Sequence, residues 1–361
     1  MCRSRRFGHS ILAAVVYLPI ALAPSRAQSQ SVREIYRMAP AHHKAVLSMA
    51  ISPDGKLLAS ASADKTIKLW SLGDGSALNT LDGHADTVVS VAISPDGHFL
   101  VSGSIDKTVR LWSLPDGRLL KTLTPFSKKV EGVAITADGK FFAAGSDDGM
   151  LVLWSLPDCT LIRTYREPGP ILAMAFSPQG DIVAVAPGQT QYRGLKSGFP
   201  IDLISLSDGS VRTLVRNGSR SVGVHLGNIV SLTFAKNGRL YSADDSGLIN
   251  VWSPEGQPAL GYVPTGTFGP TTEGLWAVTL SPDGEMLASV AAGDLRLQHV
   301  NSFPFSQISK AEQYSIGRPS PLSLVFLPDG KELISGGPDG RILRWSLPEL
   351  QLIGALTDRR N

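Results

Sequence analysis

Two sets of residues carry the types that nucleophilic hydrolysis uses. His42, Ser60 and Asp64 are followed by Trp70, and His84, Ser102 and Asp106 are followed by Trp112. A serine, a histidine and an aspartate within hydrogen-bond reach can activate a hydroxyl for acyl transfer. The same three types, buried together, also satisfy one another's polar groups inside a fold. The set occurs twice, and the structural reading is the one preferred here. Other chemistry is sparse. The chain has no phosphate-cradling glycine loop, no His-Glu-x-x-His pair and no nucleophile elbow. It has no Cys-x-x-Cys-His, so no covalent haem is expected. The expectation is a chain with no catalytic, cofactor-binding or metal-ligating residues and no cofactor.

The element that positions these residues is an internal repeat. Ser52-Pro53-Asp54-Gly55 is answered by six related segments, and the seven marker glycines stand at Gly55, Gly97, Gly139, Gly180, Gly238, Gly284 and Gly330. Most of the spacings lie near the 40–45 residues of a propeller blade. Columns counted back from each glycine are regular. Seven residues before it stand Ser48, Ser90, Gly132, Ala173, Ser231, Ala277 and Ser323, all small. Four residues before it stand Ile51, Ile93, Ile135, Phe176, Phe234, Leu280 and Phe326, all large. Alternation with period two is a strand signal, and this strand reads as the innermost of a radial sheet. Further strands follow at Leu57–Ser60, Phe99–Ser102 and Phe141–Ala144, and at the segments ending in Trp70, Trp112 and Trp154. Leu119–Leu123 illustrates a fourth. Glycine- and proline-punctuated short strands without a long 3.6-residue period predict an all-β chain. Specifically, they predict a seven-bladed β-propeller of four-stranded antiparallel blades over residues 28–361.

The second unit, Gly83-His84 through Ser102, Asp106 and Leu111-Trp112, resembles a WD40 repeat, and the chain as a whole is similar to WD40 β-propellers over roughly residues 31–357. The resemblance implies that His42, Ser60, Asp64 and Trp70 form one hydrogen-bonded structural tetrad and His84, Ser102, Asp106 and Trp112 another. The other units depart from the pattern. Unit three has Asp148 and Trp154 with Phe126 at the histidine position. Unit five has His225, Ser242 and Trp252 with Ser246 at the aspartate position. Unit six has Gln298 for tryptophan, and unit seven is read as having Asp339 and Trp345 only. Unit four is the most divergent. Trp276 falls in an innermost strand and reads as core.

Function is sought at two places. The channel mouth is expected to be lined by the starts of the innermost strands. Ten residues before the markers stand Ala45, Thr87, Lys129, Pro170, Asn228, Gly274 and Ser320. Nine before, an aliphatic column runs from Val46 to Leu275. Eight before, Glu131 is the only charge. Such a wall is a poor match to a carboxylate cage for a hydrolytic metal, and Lys129 is expected to pair with Glu131. The second place is unit four, whose connection near residues 188–200 is longer than its counterparts. It carries Tyr192, Arg193, Lys196 and Phe199, and neighbouring connections hold Arg166, Arg216 and Arg220. The resemblance implies that these connections share a partner-binding face. They form a candidate basic sector with an aromatic anchor, residue types favoured at binding hot spots.

Residues 1–27 read as a secretory signal peptide. Arg3, Arg5 and Arg6 precede an apolar run over Ile11–Ala23, and Ser25-Arg26-Ala27 offers a small-residue cleavage site. The run is shorter than the roughly 20 residues a spanning helix needs. The expected location is therefore periplasmic or secreted, with no membrane span after removal. Taking the segment's four arginines from 34 basic residues leaves 30 against 31 acidic ones, so a formal charge of +3 becomes −1. Nothing then points to nucleic acid. Cys159 is left without an intramolecular partner, and an exposed thiol there would be free to pair with another chain. Glu34–Met38 and Leu350–Leu356 both read as outer strands, and only one of the two can complete blade seven. The reading that follows is a non-enzymatic interaction scaffold for proteins. The alternative is a propeller enzyme or redox-accessory protein using the channel, such as a lactonase-like hydrolase or an electron-transfer partner.

Overall fold

The computed structural model describes residues 38–188, 199–214, 225, 227–252, 263–264, 275–291, 294–300, 312–315 and 322–358. They form seven four-stranded sheets, and in each the strands are antiparallel and ordered as they occur in the chain. The innermost strands are Val46–Ile51, Val88–Ile93, Val130–Ile135, Ile171–Phe176, Ile229–Phe234, Leu275–Leu280 and Ser323–Phe326. Each packs on the innermost strand of the next blade, and the last packs on the first, so the ring closes. This is a seven-bladed β-propeller. No described residue is helical, so among the described residues no helix is long and apolar enough to cross a membrane.

The second strand of each blade explains how the ring packs. It lies between two neighbouring blades and is buried almost throughout, as in Leu57–Ser62 and Phe99–Ser104. Burial on both faces demands apolar and small residues there, and the sequences LLASAS, FLVSGS and FFAAGS supply them. A Cβ on Gly145 would stand 2.6 Å from the Ile171 side chain of the next blade, so only glycine lets the two sheets approach this closely. The core is accordingly divided into seven apolar clusters, each wedged between adjacent blades.

All seven marker glycines adopt left-handed backbone, with φ between +70° and +81°. Each donates its N–H to the residue three before it, as Gly55 does to the Ser52 carbonyl at 2.9 Å. Polar side chains complete the turn. Ser52 Oγ donates to Asp54 Oδ1, and the Leu57 N–H donates to Ser52 Oγ. The small column has a role beyond leaving room. Ser48 Oγ accepts from the Val91 N–H and Ser90 Oγ from the Val133 N–H, at 3.2 and 3.1 Å, tying successive innermost strands together.

Of the two candidate closing strands, the C-terminal one completes blade seven. Gln351–Leu356 forms the outer strand of blade seven, which is thus built wholly from the C-terminal part of the chain. Of the N-terminal candidate strand Glu34–Met38, only Met38 is described. Among the described residues, the seam between blades seven and one is held by side chains and turns. Ala41 and His42 donate their N–H groups to the Gly340 carbonyl, and Val46 donates to Gly337. Lys68 Nζ meets Asp358 Oδ2 at 2.7 Å with both side chains under 10% exposed.

Candidate functional site

The two expected tetrads form. In blade one the Asp64 carboxylate can only accept, so His42 Nδ1–H donates to Asp64 Oδ2 at 2.9 Å. Nε2 is then the acceptor for the Ser60 hydroxyl at 2.7 Å, and Trp70 Nε1–H donates to Ser60 Oγ at 2.8 Å. Blade two repeats this with His84, Ser102, Asp106 and Trp112 at 2.8, 2.8 and 2.9 Å. The geometry contains the Ser-His-Asp order of a nucleophilic triad, but the hydroxyl is fully buried and already engaged by tryptophan. No substrate carbonyl can reach it, so the tetrads are structural.

Their electrostatics follow from the same contacts. Burial works against ionisation of Asp64, but hydrogen bonds from His42 and Thr66 outweigh it and hold the carboxyl well below its ordinary value. Asp106 is brought down to about 2: burial again opposes, and Thr108, His84 and the Ala85 N–H overcome it. Burial pushes His84 below its ordinary value against the pull of Asp106.

Blade five corrects the sequence reading. Its tetrad is complete, but the carboxylate is Asp244 and not a group at position 246. His225 Nδ1–H donates to Asp244 Oδ2 at 2.9 Å, His225 Nε2 lies 2.6 Å from Ser242 Oγ, and Trp252 Nε1–H donates to the same oxygen at 2.8 Å. Ser62 and Asp64 of blade one have exchanged types with Asp244 and Ser246, and Ser246 Oγ donates back to Asp244. Blade seven is also fuller than expected. Ser335 accepts from Trp345 Nε1 at 2.8 Å, and it stands five residues after its marker glycine as Ser60 does. Asp339 pairs with Arg341 at 2.7 Å. In blade three Phe126 packs edge-on to Trp154, and Ser127 supplies both an N–H and a hydroxyl to Asp148. Gln298 does hold the tryptophan position of blade six, opposite Leu287.

At the start of the innermost strands the pairing skips one residue in six blades, at Leu47, Val89, Glu131, Leu172, Val230 and Trp276. Such bulges re-aim a side chain. They also turn the aliphatic column away from the channel. Val46, Val88, Val130, Ile171, Ile229 and Leu275 are fully buried between blades and do not line the mouth. The residues with exposed surface are instead the bulged Leu47, Val89, Glu131, Leu172 and Val230, and the side chain of Trp276 falls outside the described set. They form an apolar collar with one charge, Glu131, whose carboxylate meets Lys129 Nζ at 2.6 Å. That bond raises the Lys129 pKa. Among the described residues no group of three or more His, Cys, Asp or Glu is placed to hold a metal.

The basic sector is met only in part. Arg166 is exposed at the end of the outer strand of blade three, 3.5 Å from the Asp148 carbonyl. Phe199 is half-buried against the apolar cluster between blades four and five, so it serves packing and is not a free aromatic anchor. Tyr192, Arg193, Lys196, Arg216 and Arg220 lie outside the described residues. Cys159 takes a turn position with φ of +54° and is 6% exposed, and burial pushes its thiol pKa up. It is an inert turn residue, not an accessible thiol.

The family described as WD domain, G-beta repeat matches residues 33–71, 75–113 and 117–155. Each match ends on the serine after the tryptophan of blades one to three. A 39-residue stretch is 54% identical to Protein Mut11 of Chlamydomonas reinhardtii and covers 11% of this chain. That stretch is 10% of Mut11, so the chain spans about a tenth of the length of this relative.

Proposed function

From a seven-bladed propeller carrying three WD40 repeats, we propose that the protein is a non-enzymatic platform that displays partner-binding loops for other proteins. The observation that carries this is rigidity. Tetrads in blades one, two and five pin the connections of one face to the buried strands beneath them. Loops held in advance bind with little ordering cost. The apolar collar, with its lone carboxylate already neutralised by Lys129, favours this reading over chemistry in the channel. The partner-binding sector is centred on the long connection of blade four, with Arg193 and Lys196, and on Arg166 beside it. The layout of residues 3–27 supports an exported, periplasmic or secreted, protein that begins at Gln28 after cleavage.

The test is affinity capture with residues 28–361 and with the Arg193→Glu/Lys196→Glu variant, from the envelope fraction of the native cell. Proteins retained by the parent and lost by the variant support the platform. Identical capture by both removes the sector, and a small molecule consumed by the purified chain overturns the non-enzymatic reading. N-terminal sequencing of the exported protein checks the cleavage site.

A further inference from the structure

Six of the seven grooves between blades are sealed in one way. The residue two positions after the tryptophan column donates its N–H to the carbonyl of the residue after the marker glycine. These pairs are Leu72 to Lys56, Leu114 to His98, Leu156 to Lys140, Leu206 to Asp181, Val300 to Glu285 and Leu347 to Lys331. The donor side chains are all apolar, and each belongs to the cluster filling the groove against the preceding blade.

The groove between blades four and five cannot be sealed that way. The turn of blade five is one residue shorter. Ala235 donates its N–H to the Arg239 carbonyl, four residues on, where Ser52 donates to the Leu57 carbonyl, five residues on. The residue two after Trp252 is Pro254, which has no N–H to donate and lies outside the described residues. A cleft of about 250 Å³ opens in this groove, on the face of the marker turns. Its floor is Ile182, Leu203, Leu214, Phe234, Leu240 and Trp252, and its polar rim is Ser177, Gln179, Asp181 and Asn237. Among the described residues Asp181 is the only charged one lining it. In the first three blades the corresponding residue is Lys56, His98 or Lys140. Ser177 Oγ donates to Asp181 Oδ1 at 2.6 Å and fixes the carboxylate at the rim. No described cation pairs with it.

We infer that this cleft is a binding site for a small organic ammonium ion with an apolar body about the size of one aromatic ring. The apolar floor takes the body, Asp181 takes the cation, and Gln179 and Asn237 offer further acceptors for its N–H groups. The volume lies just below the roughly 300 Å³ at which drug-sized pockets begin, which sets the ligand's size. The site is separate from the partner-binding face proposed above.

Titration with 2-phenylethylammonium, followed by ligand-observed NMR, tests the inference against two shape-matched controls, neutral 2-phenylethanol and anionic 3-phenylpropionate. The ammonium ion is expected to bind saturably and at least roughly tenfold more tightly than either control, as loss of a charge-assisted hydrogen bond implies. Asp181 is exposed, so Asp181→Asn and Asp181→Lys keep the fold. The first is expected to weaken ammonium binding by a similar factor, and the second to turn the preference toward 3-phenylpropionate. Equal binding of the three probes, no saturable binding by the parent chain, or unchanged affinity in Asp181→Asn overturns it.

Discussion

His225 Nδ1 donates to Asp244 Oδ2 at 2.9 Å, across an aspartate that sits two residues earlier in its blade than the aspartates of blades one and two. Asp244 stands opposite Ile229, at the place Ser62 takes opposite Val46. The two positions flank the same histidine nitrogen, so carboxylate and hydroxyl can trade places and the imidazole still has its acceptor. What the blade requires is a buried acceptor for Nδ1–H, and either backbone position can supply it.

Removing that acceptor should be costly. Asp244→Ala leaves a buried N–H without a partner and is expected to lower stability by roughly 3 kcal/mol, the scale of breaking a buried pair. The exchange variant Asp244→Ser/Ser246→Asp rebuilds the blade-one arrangement and should recover most of the loss. Urea denaturation of the three proteins checks this, and an exchange variant as weak as Asp244→Ala would show that the two positions are not equivalent.

Acid should act on the tetrads in two stages. His84 has a folded pKa below its ordinary 6.5. The unfolded chain therefore binds the extra proton first, and stability starts to fall as pH drops below that value. Asp106 has a folded pKa of about 2 against an ordinary 3.8. Its contribution is present above 3.8 and is lost as pH falls toward about 2. Both signs agree. Chemical denaturation between pH 8 and pH 3 should show the midpoint falling monotonically with acid, and Asp106→Asn should flatten the lower limb.

The count of blades and the tetrads of blades one and two were legible because they rest on residue type at fixed distance from a glycine that must be left-handed. The misreadings share a cause. Counting from Gly238 meets a turn one residue short, and the exchanged pair then hides Asp244 behind Ser246. Counting toward the channel meets a bulge, which turns Val46 inward and Leu47 outward although they are neighbours. Ser335 stands at the same distance from Gly330 as Ser60 does from Gly55, so its place under Trp345 is carried by the sequence as well. The groove beside Trp252 depends on a missing N–H and a shortened turn acting together across two blades, which no single column displays.

Serines in the same column should not be equally important. Ser60 Oγ accepts from Trp70 and donates toward His42, so Ser60→Ala strands two buried groups and should cost about 1–3 kcal/mol. Ser289 is equally buried, but Gln298 replaces the tryptophan and the Ser289 hydroxyl has no hydrogen-bond partner. Ser289→Ala should then be neutral or slightly stabilising. Thermal unfolding of both variants decides the point, and equal losses would mean that burial alone sets the value of this column.

The seam between blades seven and one makes the sharpest demand. Among the described residues no strand is shared across it, and the only buried ion pair joining these blades is Lys68 with Asp358. Taking both charges out of water is expensive, and their attraction roughly offsets that cost when the pair is intact. Removing one partner leaves the other buried and uncompensated. Asp358→Ala is therefore expected to destabilise by about 3–5 kcal/mol, whereas Lys68→Met/Asp358→Leu should lie close to the parent. Hydrogen exchange should locate the loss in the outer strands Ala77–Leu81 and Gln351–Leu356, next to the seam, with blades three and four unaffected. If the single variant is as stable as the double, the pair contributes nothing to closure. The ring would then be held by the apolar cluster that joins Val46, Met49 and Trp70 to Ile334, Ile342 and Leu356.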